Sequence, residues 1–460
     1  MDPGRLDHLV RAARERAADR RRSFAWAPDG GQPLVAMESQ PGARPLRILL
    51  CNRERTLFNY LADDRVIVSI QEPGAALQAP CDVVVITRAD RMGLEASAAT
   101  LPPEIWTLGQ EGGVRVVFDA SGEGVGFSEG EAEQLHGFLR ARGLTPGMGA
   151  VVTQDRQHER NYDAWCDRTG VGADRMRVWV HDLYIQRTFA GLGTHGERTF
   201  HDRLGAYAQR GRARRMQFTS LNRTIRPVKA LFLLRLLEAG LWERGYFSLG
   251  NLGEVGGGVR LSRAEFLALL RAERGFDDLL PRLEPHLEAL EAKGPIRLGM
   301  REDVSERKAA RWTLEPMALE HYARSWFSVI TESHASDWLH RITEKPFKPL
   351  LNFHPFMVLG CLGALRLVRA YGFDTYPQMF DESYDETTPL RARHDKVFEE
   401  TRRLSRLDQA VLSRLDEAAA ETVVFNAWWG MVELPSLFHS HIDARLIDRL
   451  VAFCAELPEG

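Results

Sequence analysis

The sequence has no two cysteines close together. Its five, Cys51, Cys81, Cys166, Cys361 and Cys454, are scattered along 460 residues with no CxxC pair. That excludes a disulfide framework and a cysteine-rich metal site, and it leads us to expect reduced, buried thiols in a cytoplasmic protein. No uninterrupted run of about 18 apolar residues occurs, so no membrane-spanning helix is expected. The first residues lack the apolar core of a secretory signal. Neither charge sign dominates: 60 Lys and Arg against 63 Asp and Glu give a net charge of −3. A broad field for nucleic acid is therefore missing, and no nucleic-acid partner is expected. Internal repeats and low-complexity tracts are absent too. What remains is a chain 44% hydrophobic and 27% charged, too long for one ordinary core and suited to two.

Six continuous apolar runs follow one another: LRILLC (46–51), RVIVSI (65–70), DVVVIT (82–87), VRVVF (114–118), AVVT (150–153) and MRVWV (176–180). Strands buried on both faces of a parallel sheet read this way. Residues 189–215 are rich in Gly and Arg and read as a crossing segment. The pattern restarts with MQFTSLN (216–222), a helix over 227–242 and YFSLGN (246–251). Residues 261–295 read as a helical insertion. FSVIT (327–331), PFMVLG (355–360) and FDTYP (373–377) then read as strands, followed by helices over 388–420 and a closing helical segment. The expected fold is α/β, with two Rossmann-like domains facing each other across a cleft. The expected domains are a helical extension (1–44), an acceptor domain (45–205), a nucleotide-sugar donor domain (206–425) and a C-terminal helical segment (426–460). Residues 5–22 are an arginine-rich helix, read as solvated, with peripheral contact to an anionic inner membrane face as the alternative. The oligomeric state is not readable.

Ligands of such sheets bind where the strands end, and four strand ends carry chemistry. After VRVVF come Asp119 and Glu123, either of which can take a proton from a hydroxyl. After MQFTSLN, Arg223 and Arg226 precede a helix opened by Pro227, which suits a phosphate. In RITEKPFKPLL (341–351), Thr343 is expected to cap a short helix that carries Glu344, Lys345 and Lys348. A carboxylate there can accept from two ribose hydroxyls while the ammonium groups meet a diphosphate. The alternative is a plain surface pair of Glu344 with Lys348. After FDTYP, Asp381, Glu382, Tyr384 and Asp385 are candidates for sugar or acceptor contacts, and magnesium on Asp381 and Asp385 is a weaker reading. Gln154, Asp155 and Asn161 follow another strand and could reach an acceptor. No metal or resident cofactor is expected. GEVGGG (253–258) is read as a loop.

WFSVITESHASDWLHRITEKPFKPLLNFHPFMVLG (326–360) resembles the signature of the α-1,3-fucosyltransferases, and TSLN…R (219–226) resembles an upstream element of the same family. SLNR…R, TEKPFKPL, PFMVLG, GFDTY and DESYD together are also similar to a group of bacterial putative glycosyltransferases. The resemblance spans about 170 residues and implies a GT-B type glycosyltransferase. It implies that Glu344 holds the nucleotide ribose and that Lys345, with Arg223 or Arg226, binds the diphosphate. Asn222, Thr343 and Lys348 belong to the same donor site. Glu332 stands where the family carries an acid near the donor sugar, and Arg341 where it carries an aromatic.

The expected reaction is an inverting, metal-independent transfer from a nucleotide-diphosphate sugar to a hydroxyl of a glycan or other acceptor. Cations at the strand ends would stabilise the leaving diphosphate. Two rival readings keep the nucleotide site. One is a nucleotide-sugar epimerase or hydrolase. The other is a non-catalytic binding or scaffold protein that uses exposed Trp428 and Trp429.

Overall fold

In the computed structural model, residues 2–455 are described, apart from 26–43, 52–55, 62, 73, 78–79, 88–92, 123–125, 191, 193–194, 211–213, 223, 254–259, 297 and 299–318. The chain divides into two compact units. One holds residues 25–190, 339–341 and 436–460, and the other holds residues 1–24, 191–338 and 342–435.

The first of these is built on six parallel strands: β1 (Leu46–Leu50), β2 (Val66–Ile70), β3 (Val83–Thr87), β4 (Arg115–Ala120), β5 (Gly149–Thr153) and β6 (Arg177–Val180). Their order is β2-β1-β3-β4-β5-β6. Alternate residues serve opposite faces. Leu49, Val84, Ile86, Val116, Phe118 and Val151 pack with Leu135, Phe138, Tyr162 and Trp165 from the helices on one side. Ile48, Leu50, Val83, Val85, Val117 and Val152 pack on the other face against Leu446, Ile447, Leu450 and Phe453. Those last four lie on the helix Ala444–Ala455, so the end of the chain completes the core of its first sheet. In β3, β4 and β5 every position is buried, so a residue of either parity meets apolar atoms and their sequences are largely apolar, whereas the edge strand β2 exposes Ile67.

The second unit carries four parallel strands, β7 (Met216–Asn222), β8 (Gly245–Leu249), β9 (Ser325–Thr331) and β10 (Phe356–Leu359), in the order β10-β9-β7-β8. Strand order reverses between β7 and β9, so the crevice at their carboxyl ends is the ligand position of a doubly wound sheet. Both units are Rossmann-like α/β folds.

Three sequence readings need correction. FDTYP is not a strand. Phe373 and Tyr376 are buried, but the Asp374 N–H donates to Asn426 Oδ1 (2.9 Å) and the Tyr376 N–H to Glu382 Oε1 (2.6 Å). Side chains satisfy these amides, so no ladder forms. The β10 amide of Val358 instead donates to the Tyr384 hydroxyl at 3.2 Å. Within the supposed crossing segment, Gly196–Gln209 is a helix that buries Phe200, Leu204 and Tyr207. A Cβ added at Gly196 would stand 1.8 Å from the Met431 carbonyl oxygen, so glycine is needed for this close approach. Finally, Trp428 and Trp429 are buried, not exposed. Trp429 Nε1 donates to the Tyr371 carbonyl at 2.8 Å, and the Arg14 guanidinium covers the Trp428 ring at 4.4 Å.

Arg14 belongs to the helix Pro3–Ser23, capped by Asp2 through the Arg5 amide. Leu9, Ala13 and Ala17 repeat at four-residue spacing and are buried. Arg16 lies over Phe425, and Arg20 donates to the Gly372 carbonyl at 2.7 Å. Several arginines of this helix are thus engaged within their own unit. No described helix is long and apolar enough to cross a membrane.

Candidate functional site

The crevice between β7 and β9 is closed at its floor by a polar bridge. Thr331, the last residue of β9, donates from Oγ1 to Asn222 Oδ1, the last residue of β7. Asn222 Nδ2 donates to Ser220 Oγ at 3.0 Å, and its backbone N–H to Ser248 Oγ at 2.9 Å. Asn222 is fully buried, so it ties strand ends together.

Glu332 follows directly and is buried. Its carboxylate accepts from the Thr343 N–H at 3.0 Å, from Thr343 Oγ1 at 2.7 Å and from Lys345 Nζ at 3.0 Å. Lys345 Nζ also reaches Ser333 Oγ (3.1 Å) and Thr343 Oγ1 (3.0 Å). Burial favours the neutral acid, but Lys345 and the Thr343 donors outweigh it and hold the Glu332 pKa below its usual value. Thr343 Oγ1 also accepts from the Lys345 N–H at 3.4 Å, but no helix starts there. The helix itself starts later, as the single turn Phe347–Leu350, with Pro346 at the cap position. Phe347, Leu350 and Leu351 are buried as the sequence pattern anticipates. Glu344 stands 3.5 Å from Lys348 Nζ. Burial opposes its charge, yet Lys348 and Lys345 bring its pKa down to about 2.

A residue that the sequence reading passed over completes the group. Lys229 sits in the first turn of the helix Pro227–Glu238, opened by Pro227 and without a side-chain cap at Arg226. It is 2% exposed and makes no hydrogen bond or ion pair among the described residues. Burial lowers its pKa to about 7, helped by Lys345 and Arg226 and opposed by Glu332 and Glu344. Each of these four side chains is thus near enough to act on Lys229. An uncapped helix start with a buried, unpartnered ammonium beside it has the chemistry of an anion seat.

The other candidates are placed as follows. Arg223, Glu123 and the GEVGGG glycines from residue 254 onward lie outside the described residues. Arg341 falls in the first-sheet unit, where its guanidinium donates to Gln154 Oε1. Gln154 in turn donates to the Ser121 carbonyl. Asp155 accepts from the Gln157 and His340 amides, both at 3.1 Å. Asn161 lies in the first turns of the helix His158–Thr169. Asp119 is fully buried at the end of β4. One of its oxygens accepts from Thr56 Oγ1 (2.7 Å) and the Leu57 N–H (3.0 Å), the other from the Ser121 N–H (2.9 Å) and Ser121 Oγ (2.5 Å). Burial nonetheless raises its pKa.

The acidic loop is a brace. Asp381 caps the turn Glu382–Glu386 through the Ser383 N–H. Glu382 accepts from Thr375 Oγ1 at 2.8 Å and from Arg369 at 2.6 Å. Asp385 accepts from the Leu365 and Arg366 amides, at 2.9 and 3.2 Å, where the helix Ala364–Ala370 begins. The described residues contain no group of three side chains suited to a metal ion.

No family model and no curated protein matches the chain. Among solved structures it is similar to a UDP-forming α,α-trehalose-phosphate synthase from Burkholderia xenovorans, at 12% identity and a TM-score of 0.40, over 83% of this chain and 75% of that one. It is also similar to the trehalose-6-phosphate phosphatase N-terminal domain of Candida albicans, at 11% identity and a TM-score of 0.38, over 82% and 71%. An α,α-trehalose 6-phosphate synthase from Burkholderia multivorans matches at 11% identity and a TM-score of 0.37, over 83% and 74%. Similarity at this level assigns no activity to the chain.

Proposed function

We propose that this protein transfers a glycosyl group from a nucleotide-diphosphate donor to a hydroxyl acceptor, with inversion and without a metal. The observation that carries the reading is the buried, unpartnered Lys229 at an uncapped helix start, within electrostatic reach of Lys345 and Arg226 at a topological switch point. A leaving diphosphate accumulates negative charge as the glycosidic bond breaks. Ammonium groups and helix amides fixed in advance stabilise that charge without reorganising. Glu344, already ionised beside Lys348, is the carboxylate suited to accept from vicinal ribose hydroxyls. Glu332 keeps Lys345 in place. The fucosyltransferase resemblance points the same way but rests on the motif residues alone, and the sugar is left open. The scaffold alternative loses one of its two supports, because Trp428 and Trp429 are buried, and keeps the long C-terminal helices.

The deciding experiment is a thermal-shift screen of nucleoside diphosphates and their sugars on the wild-type chain and on Lys229→Met. A ligand held by this site raises Tm with its concentration, as linkage requires, and the shift shrinks in the variant. If no nucleotide stabilises the wild type, or if the shift persists undiminished in Lys229→Met, the reading fails.

A further inference from the structure

Lys229 has chemistry of its own, apart from any transfer reaction. It is the third residue of the helix Pro227–Glu238. Helical side chains lean back towards the helix start, so its four-carbon stem runs towards that uncapped end. Over twelve residues the helix keeps its peptide dipoles aligned, with the positive end here. Pro227 brings no N–H, and the Ala230 N–H is the one that bonds back to the Arg226 carbonyl, at 2.9 Å. The amides of Val228 and Lys229 come before that bond and are among the donors a helix start leaves over.

Two carboxylates act on Lys229, but each is already engaged. Glu332 accepts from Lys345 Nζ at 3.0 Å and from Thr343 Oγ1 at 2.7 Å, and Glu344 stands 3.5 Å from Lys348 Nζ. Lys229 itself is buried and has no acceptor. An ammonium enclosed in this way loses its hydration and gains no hydrogen bond, so the neutral amine, with an open lone pair, is favoured. Burial brings its pKa to about 7; Lys345 and Arg226 lower it further, while Glu332 and Glu344 act the other way. The surroundings are not sealed, since Lys345 and Glu344 each keep part of their side chain in solvent. A small apolar electrophile can therefore reach an amine held unprotonated beside cations and helix amides. Desolvation of this kind is what makes a lysine nucleophilic near neutral pH.

We propose that Lys229 takes up carbon dioxide as a carbamate, a reversible modification that closes the anion seat. The modification needs no glycosyl transfer; only its consequence for a diphosphate rests on the reading above. In this step the Nζ lone pair forms a bond to the carbon of carbon dioxide. One C=O π pair moves onto oxygen, and one amine proton leaves to water. Nothing is oxidised or reduced. The product carries a negative charge where the protonated lysine carried a positive one. Its two oxygens are acceptors suited to the first-turn amides and to the Lys345 ammonium, with the Arg226 charge acting in the same sense. Glu332 and Glu344 oppose it, but Lys345 and Lys348 already meet their charges. Carbon dioxide and a diphosphate draw on the same donors, so each weakens the other by the same factor.

The test is chemical trapping on the full chain. The protein is equilibrated with isotopically labelled bicarbonate, the source of dissolved carbon dioxide, at about pH 8, above the pKa of the lysine. Carbamates are fixed as ethyl esters with triethyloxonium and mapped by mass spectrometry. Label is expected on Lys229 and not on Lys345 or Lys348, and it should fall away as the pH drops through about 7. Saturating inorganic pyrophosphate should remove it. In calorimetric titrations, full carbamylation should weaken pyrophosphate binding at least about 10-fold in the wild type, the lower worth of one charge-assisted hydrogen bond, and bicarbonate should have no such effect in Lys229→Met. The mapping on the wild type stands even if that variant fails to fold. No label on Lys229, or label as strong on Lys293 and Lys396, overturns the inference and leaves the diphosphate reading intact. Label that survives pyrophosphate bound at saturation overturns the closing of the seat. A bicarbonate effect of equal size in folded Lys229→Met does the same, because it comes from the free anion. A labelled Lys229 on a chain with no affinity for pyrophosphate keeps the modification and overturns the diphosphate reading alone.

Discussion

Lys345 Nζ lies 3.0 Å from Glu332 Oε2, and the carboxylate it meets is almost wholly enclosed at the end of β9. Removing the lysine strands a buried charge. Lys345→Ala is therefore expected to lower stability by about 3 kcal/mol, the lower end for breaking a buried pair, since the lysine keeps some solvent contact. Glu332→Gln combined with Lys345→Ala should recover part of that loss. Urea unfolding of the three proteins measures it. An unchanged midpoint in Lys345→Ala would mean that the pair does not hold the site together.

Lys229 should respond with the opposite sign. Its burial without a partner makes it a cost to the free protein. Lys229→Met is expected to leave stability equal or higher while weakening diphosphate binding by about 10–100-fold, the worth of one charge-assisted hydrogen bond. With its pKa near 7, the lysine is largely neutral at pH 8, and an incoming anion should recharge it. Calorimetric titration of pyrophosphate in buffers of different ionisation heat should then show uptake of up to one proton, absent in the variant. Equal proton uptake in both would assign it elsewhere.

Glu344 sets a stability window at low pH. Its folded pKa of about 2 lies below the usual 4.5, so the unfolded chain binds this proton first as pH falls. The contribution is fully present above pH 4.5 and is lost progressively as pH drops towards 2. Glu344→Gln should flatten that part of the stability profile by lowering stability above pH 4.5 while changing it little near pH 2. A profile as steep as wild type between those limits would show that Lys348 and Lys345 do not hold the carboxylate as described.

For Asp119 the expectation is structural. Asp119→Ala leaves four donors without their acceptor, two of them backbone amides, and should cost about 3 kcal/mol or more. Asp119→Asn should cost less, because one oxygen keeps its two bonds. Chemical denaturation separates the two variants. A base would behave differently: Asp119→Ala would lose turnover at full stability.

Both sheets were legible because their strands are buried on two faces, and an apolar run in the sequence reports such burial directly. The same signal misled at FDTYP. Phe373 and Tyr376 are as buried as strand residues, but burial says nothing of where the amides go, and there they go to Asn426 and Glu382. The helix Gly196–Gln209 was hidden by its glycines and arginines, whose partners lie far along the chain. At the site, Glu332, Thr343, Glu344 and Lys345 could be read because they follow strand ends. Lys229 could not, since a lysine inside PVKALFLLRLL looks like a side chain that escapes to solvent. Its signal was one of only two charges, the other being Arg235, in a run that is otherwise apolar. The His439–Asp443 pair was present as HSHID, but the carboxylate's other two partners, His181 and Gln186, are more than 250 residues away in the sequence.

The helix Ala444–Ala455 covers a face of strands made from residues 46–153. A ribosome adds about 5–20 residues per second, so that face, partly covered by Leu57, Phe58, Leu61 and Leu183, lacks this helix for roughly 15–60 s of synthesis after its last strand residue is made. Ile48, Leu50, Val83, Val85, Val117 and Val152 lack part of their apolar cover throughout that interval. The core on that face is therefore completed only after the intervening residues have been made.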